Sequence, residues 1–215
     1  MTEKQNARIK ILQPVFDTLP EDKEEIVCGE DEDIVGRFRS VSFATGTFER
    51  ERFDGCVFEK CDFREGGFRR CLFDNVIFDG CDLSNVSFAD CAFSRVRFEE
   101  CKAVGVSFDR AAIRDVSFSV CNLSFSSLFE SKAQSLLFEK CRMEQFSFYR
   151  TKQRQLFFRE DELFSIEVNG TSLKGCDISD CVFTGASFTG DEFRGCAVSF
   201  EQAVALSKIL GIIIK

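Results

Sequence analysis

"CDLSNVSFADCAFSRVRFEEC", residues 81–101, returns a large apolar side chain every five positions, at Leu83, Phe88, Phe93 and Phe98. A helix asks for a return every 3.6 residues and a strand for every second one, so neither element explains the spacing. Stepping by five from Phe38 to Val198 visits 33 positions without an insertion: 20 Phe, five Leu, two Ile, two Val, two Ala, Met143 and Gln153. A second column lies two residues before each of these. It holds small apolar residues, and eleven of the twelve cysteines fall in it, Cys28 being the exception. The other three positions of each five carry most of the charged and polar side chains.

This is a strong internal repeat. A chain that turns a corner every five residues sends one large and one small group inward per side and three groups outward. Stacked coils then contact only their neighbours, as solenoids do, and their backbones pair as a parallel ladder of roughly 4.8 Å per coil. Cys61, Cys81, Cys101, Cys121, Cys141 and Cys181 are 20 or 40 residues apart, as stacked equivalents in a four-sided coil would be. Core positions follow directly. Phe58, Phe63, Phe73, Phe78, Phe88, Phe93 and Phe98 are expected in the large column. Cys61, Cys71, Cys81, Cys91, Cys101 and Cys121 are expected in the small one. A free thiol packs as a small hydrophobe, so these cysteines read as filling rather than as redox or metal groups. No CxxC pair supports zinc either.

The pattern small-x-[Phe/Leu]-x-x, as in "CVFEK" and "CDFRE" at 56–65, resembles that of the pentapeptide-repeat proteins. The resemblance implies an all-β fold, a right-handed quadrilateral parallel β-helix with four pentapeptides per coil and a short C-terminal α-helix. The expected organisation is an N-terminal cap and acidic segment at 1–35, the β-helix at 36–198, and a capping or dimerisation helix with its tail at 199–215. About eight coils make a rod of roughly 40 Å. Residues 145–170 fit the pattern worst, with Gln153 in a large-apolar position, Asp161 in a small one, and Phe146 and Leu156 large where small is expected. A distorted coil and a projecting loop both remain open there.

Both ends need covers, because an open coil presents unpaired backbone. At the N-terminus "RIKIL" (8–12) alternates like a strand before Pro14, and "PEDKEEIVCGEDED" (20–33) reads as a solvated linker or arm. In "VSFEQAVALSKILGIIIK" (198–215), Ser199 and Gln202 form a capping box and Gly211 is placed to end a helix. Ala203, Leu206, Ile209 and Leu210, with the tail Ile212, Ile213 and Ile214, are the candidates for a two-fold, end-to-end homodimer contact.

Composition argues against catalysis. There is no His, no nucleophile elbow and no Gly-rich phosphate loop, and a filled rod offers faces rather than a pocket. No enzyme activity, cofactor or metal is expected. No stretch approaches the roughly 20 apolar residues that span a bilayer, and the start lacks a secretory h-region, so a cytoplasmic protein without membrane contact is expected. The net charge of −8 is concentrated in residues 1–35, which hold four basic and ten acidic side chains. Sorting the pentapeptides of 41–200 into four faces by their order, with 41–45 on face 1, gives charges of −3, 0, +2 and −4. Faces 4 and 1 adjoin, and their carboxylates form a candidate acidic partner-binding edge: Asp62, Glu65, Asp79, Asp82, Glu99, Glu100, Asp161, Glu162, Asp177 and Asp180. Face 4 also carries an outward apolar line, Val57, Ile77, Leu137, Phe157 and Ala197, which suggests a cover, for which the N-terminal segment is the first candidate.

The C-terminal ending resembles that of the Qnr, McbG and AlbG group within this family, as does "FEECKAVGVSFDRA" at 98–111. That resemblance implies a homodimer that imitates duplex DNA, binds DNA gyrase or topoisomerase IV without touching nucleic acid itself, and protects the enzyme from a poison. The group's inserted loops have no counterpart in the unbroken count, which argues against quinolone protection in particular. A structural or adaptor solenoid with an unrelated protein partner is the alternative, since one fold hosts many roles.

Overall fold

The computed structural model describes residues 11–27 and 32–214. The five-residue period is produced by one backbone device. From Ser40 to Gly175 the last residue of each pentapeptide takes a left-handed conformation, with φ of 53° at Lys60, 58° at Glu65, 57° at Arg70 and 53° at Asn75, and Gly55 and Gly80 filling the same role. Between corners the chain is extended, so each pentapeptide forms one side of a square coil. The strain of placing so many non-glycine residues at positive φ is met by the ladder that each coil forms with the next.

Those ladders are parallel and keep a 20-residue register. Leu72 pairs with Ala92, Phe73 with Phe93 and Phe78 with Phe98, and the next coil continues as Ala92 with Ala112 and Phe98 with Phe118. Faces 3 and 4 share a nine-stranded sheet. In mid-rod its strands run through the corner between them as eight-residue pieces, Leu72–Asp79, Ala92–Glu99, Ala112–Ser119, Lys132–Glu139 and Lys152–Arg159. Face 2 has a four-stranded sheet through Ser127–Phe129, Ser147–Tyr149, Ile166–Asn169 and Ala186–Phe188. Face 1 is joined partly by single bridges such as Asp62 to Asp82 and Asp82 to Lys102. The solenoid has about eight turns.

The interior is a set of ring columns. On face 4, Phe38, Phe58, Phe78, Phe98, Phe118, Phe138 and Phe158 stack without a break, at centroid spacings of 4.5–5.6 Å. Neighbouring columns meet edge to face, as in Phe58 against Phe63 at 5.2 Å and 84°. Phe58, Phe63, Phe73, Phe78, Phe88, Phe93 and Phe98 are all buried, as are Cys61, Cys71, Cys81, Cys91, Cys101 and Cys121. Each large side chain contributes about 1.5–3 kcal/mol of burial before entropy is charged.

The small column does more than fill space. Cys81 Sγ donates to the carbonyl of Phe58 at 3.3 Å, Cys101 to Phe78 at 3.4 Å and Cys121 to Phe98 at 3.5 Å, each reaching one coil back. Where the column holds Ser126, its hydroxyl donates to Ala103 in the same way at 2.7 Å. All the described cysteines are free. Burial pushes the Cys56 and Cys176 thiols up to about 12, away from reactivity.

Residues 145–170 form neither a bulge nor a loop. They continue the coil through Ser147–Tyr149, Lys152–Arg159, Glu162–Phe164 and Ile166–Asn169. Volume compensation explains how. Face 3 shrinks at its centre to Ala133 and Gln153, and three residues on the usual Val becomes Leu136 and Leu156, both buried.

The ends depart from the repeat. Asp22–Lys23 pairs with Arg37 and Phe38, fifteen residues on rather than twenty, and Ile34 bridges to Phe53, so this segment adds an irregular rung over the first coil. The chain before it lies along the corner of faces 3 and 4, where Leu12 N–H donates to Asp115 and Val15 N–H to Asn75. The strand reading of 8–12 falls mostly outside the described residues. On face 4, Val57 is buried and Ile77, Leu137 and Phe157 are half-buried, whereas Ala197 is exposed. In the last coil Asp191 takes the small position but is exposed, and Glu192 is buried instead. Burial alone would raise the Glu192 carboxyl. Donors on Gly170, Gly190 and Thr189 hold it down at about 2.

Candidate protein-binding surfaces

The C-terminal helix, Phe200–Ile209, starts at a complete capping box. Gln202 N–H donates to Ser199 Oγ, and Ser199 N–H donates to Gln202 Oε1. Gly211, at φ 74°, ends it with two closing bonds, Gly211 N–H to Lys208 and Ile212 N–H to Ser207. Gln202 also anchors the helix to the rod. Its buried amide donates to the carbonyls of Ile178 and Cys181 at 2.7 and 2.8 Å, joining Cys181 N–H on the first and serving the second, which has no other donor among the described residues. Sequence reasoning gave this residue only its capping role. Nothing in its spacing signals the second one.

This anchoring leaves the apolar side of the helix uncovered. Leu206 is half-buried, while Ala203, Ile209, Leu210, Ile212, Ile213 and Ile214 are exposed, Ile213 by 83%, and Phe200 joins them at 80%. Phe200 was not among the sequence candidates because the repeat places it outside both inward columns.

The acidic edge is less uniform than face counting suggests. Asp161 does not belong to it. The carboxyl sits inside the small column, 0% exposed, and accepts N–H bonds from Cys141 at 2.7 Å and Arg159 at 3.0 Å. Burial pushes it up to about 7, with Asp180 and Glu139 adding to the rise. The inward position was visible in the register, but charge counting alone treats every carboxylate as a surface group. Four others carry their own cations: Asp62 with Arg64 at 2.7 Å, Asp82 with Lys102 at 3.1 Å, Glu99 with Arg97 at 3.0 Å and Glu162 with Arg142 at 3.8 Å. The bond from Arg64 holds Asp62 below its ordinary range. Glu65, Asp79, Glu100, Asp177 and Asp180 form no ion pair with the described residues. Of these, Glu65, Glu100 and Asp180 are exposed.

Among the described residues no cluster of His, Cys, Asp and Glu could hold a metal, and no helix is long and apolar enough to cross a membrane.

The chain is similar in fold to HetL, a pentapeptide-repeat protein involved in heterocyst differentiation regulation from Nostoc sp. strain PCC 7120. That match has 12% identity and a TM-score of 0.51, covering 76% of this chain and 85% of that one. It also matches QnrB1, a plasmid-mediated fluoroquinolone resistance protein, at 21% identity and a TM-score of 0.41, covering 86% and 90%. A pentapeptide-repeat protein of the Arabidopsis thaliana thylakoid lumen matches at 16% identity and a TM-score of 0.21, covering 80% and 74%. No curated protein matches the chain. The family model for the pentapeptide repeat region matches residues 51–106 and 91–168. With four-sided coils, a 20-residue ladder and that match over more than half its length, the chain belongs to the pentapeptide-repeat family.

Proposed function

We propose that the protein is a non-catalytic, dimeric binding protein that occupies the DNA-binding surface of bacterial DNA gyrase or topoisomerase IV and protects the enzyme from a poison. The reading is carried by the C-terminal element, which resembles that of the topoisomerase-protecting group and presents Ile209, Leu210 and Ile212–Ile214 to solvent. An apolar patch at the tip of a slim rod suits a second copy related by a two-fold axis. The dimer would be a rod of roughly 80 Å at about 4.8 Å per coil, with the unpaired carboxylates along its flanks. A basic DNA saddle recognises such a line electrostatically.

Adding the purified protein to a gyrase supercoiling reaction, with and without a topoisomerase poison, tests the proposal. Inhibition at high protein and rescue of the poisoned enzyme at lower protein are expected; no binding, inhibition or rescue at low salt rejects it. The second reading, an adaptor for an unrelated protein, is favoured by one observation. Four of the ten edge carboxylates are already neutralised within the rod, which weakens a DNA-like field. A specific partner that is not a topoisomerase, bound through the rod's faces, would establish it.

A further inference from the structure

Along most of the rod, basic side chains are matched with carboxylates one coil away. Arg110 meets Asp90 at 2.7 Å, Arg159 meets Glu139 at 2.9 Å, Arg142 meets Glu162 at 3.8 Å and Arg150 meets Glu130 at 3.7 Å. On face 3 the rule holds for Arg95, which meets Asp74, and breaks beyond it. Arg114, Lys132, Lys152, Arg154 and Lys174 form no ion pair with the described residues. The ladder sets Lys132 directly beside Lys152, one coil apart. Like charges at facing positions oppose folding, so the cluster is not explained by stability. Of the carboxylates nearby, Asp115 is buried and accepts from Leu12 N–H, and Glu192 is occupied by Gly170 N–H.

The same five residues line a groove of about 950 Å³, together with Ala92, Ala112, Ala133 and Gln153. It lies where the face 3 ring column, stacked through Phe53, Phe73 and Phe93, gives way to Ile113, Ala133 and Gln153. From Ala92 to Lys174 the groove crosses five coils, roughly 19 Å, the length of about six extended residues. Its lining is alanine-rich at one end and basic at the other.

We propose that this groove docks an extended acidic peptide segment of a protein partner. Charge complementarity sets the sign of the occupant, and the mixed apolar and basic lining suits side chains alternating between the two characters. A nucleic-acid strand fits less well. Strand-binding surfaces offer exposed aromatic rings for stacking, whereas the one ring here, Phe93, is 3% exposed. Residues 1–10 carry Lys4, Arg8 and Lys10 against Glu3, the wrong sign of charge for this groove, and Asp22–Lys23 and Ile34, on either side of the acidic stretch, are held over the first coil.

The experiment uses the full chain and three labelled probes: an eight-residue peptide alternating Asp and Leu, its Lys/Leu counterpart, and a ten-nucleotide oligo-dT. Fluorescence anisotropy at about 50 mM salt, where surface charges are weakly screened, is expected to show binding of the Asp/Leu peptide alone. Lys132→Glu with Lys152→Glu should weaken that binding at least tenfold, and Lys60→Glu, on another face, should leave it within twofold. Should the double reversal not fold, Lys132→Gln with Lys152→Gln removes the charge without reversing it. That variant should melt no lower than the natural chain and still lose most of the binding. Absence of peptide binding, equal loss in the Lys60 variant, or tighter binding of oligo-dT than of the Asp/Leu peptide would overturn the proposal.

Discussion

Asp161 is the residue at which the repeat carries a cost. Its neighbours in the small column, Cys141 and Cys181, are thiols that need no counter-charge, whereas a buried carboxylate is stable mainly when protonated. With its native pKa raised to about 7 from 3.8, the unfolded chain releases this proton first as pH rises. Stability contributed by the protonated group is therefore complete below about pH 4, declines between pH 4 and 7, and is absent above. The loss is at most roughly 4 kcal/mol at about 1.4 kcal/mol per unit. Asp161→Cys restores the thiol column, so its melting temperature should exceed that of the natural chain most at pH 8, with the gap narrowing markedly at pH 5. Parallel melting curves across that range would contradict this account. The column itself is legible in the sequence, because one residue in five is a mechanical signal. The bonds made by its thiols and hydroxyls are not, since Cys, Val and Ala share the same slot and only coordinates show a carbonyl within reach.

At the scale of elements, the ring columns and the anchored helix hold the rod together by different means. Phe78 stacks between Phe58 and Phe98 at 5.0 and 4.8 Å and is fully buried. Phe78→Ala should therefore cost about 3–5 kcal/mol in denaturant unfolding, since the flanking rungs prevent collapse into the gap. Gln202→Ala removes two bonds to buried carbonyls and half of the capping box. A loss of about 1–3 kcal/mol is expected, with helix amides exchanging faster than those of the coils. An unchanged exchange pattern would show that the helix does not depend on this anchor. Strands, corners and the helix could be read from the sequence because each has a local period or cap. The smooth passage through 145–170 could not, because it depends on Leu136 and Leu156 supplying volume that Ala133 and Gln153 withdraw across a corner.

For the whole molecule, the proposed dimer makes the exposed isoleucine tail the decisive surface. Ile213→Glu should convert the particle to a monomer in sedimentation equilibrium while leaving its melting temperature nearly unchanged, because the side chain is 83% exposed in the single chain. A variant that remains dimeric would place the contact elsewhere. Face assignment followed from counting, so nine of the ten candidate carboxylates lie on the outside. Their pairing did not follow, because a net charge per face does not say which carboxylate a cation such as Arg64 or Lys102 reaches.

The most direct test of the account is binding of the intact protein to immobilised DNA gyrase, measured with and without a saturating duplex oligonucleotide. If the rod takes the place of DNA, binding is saturable, weakens steeply with salt and is abolished by the duplex. Binding unaffected by the duplex, or no binding at low salt, would contradict it.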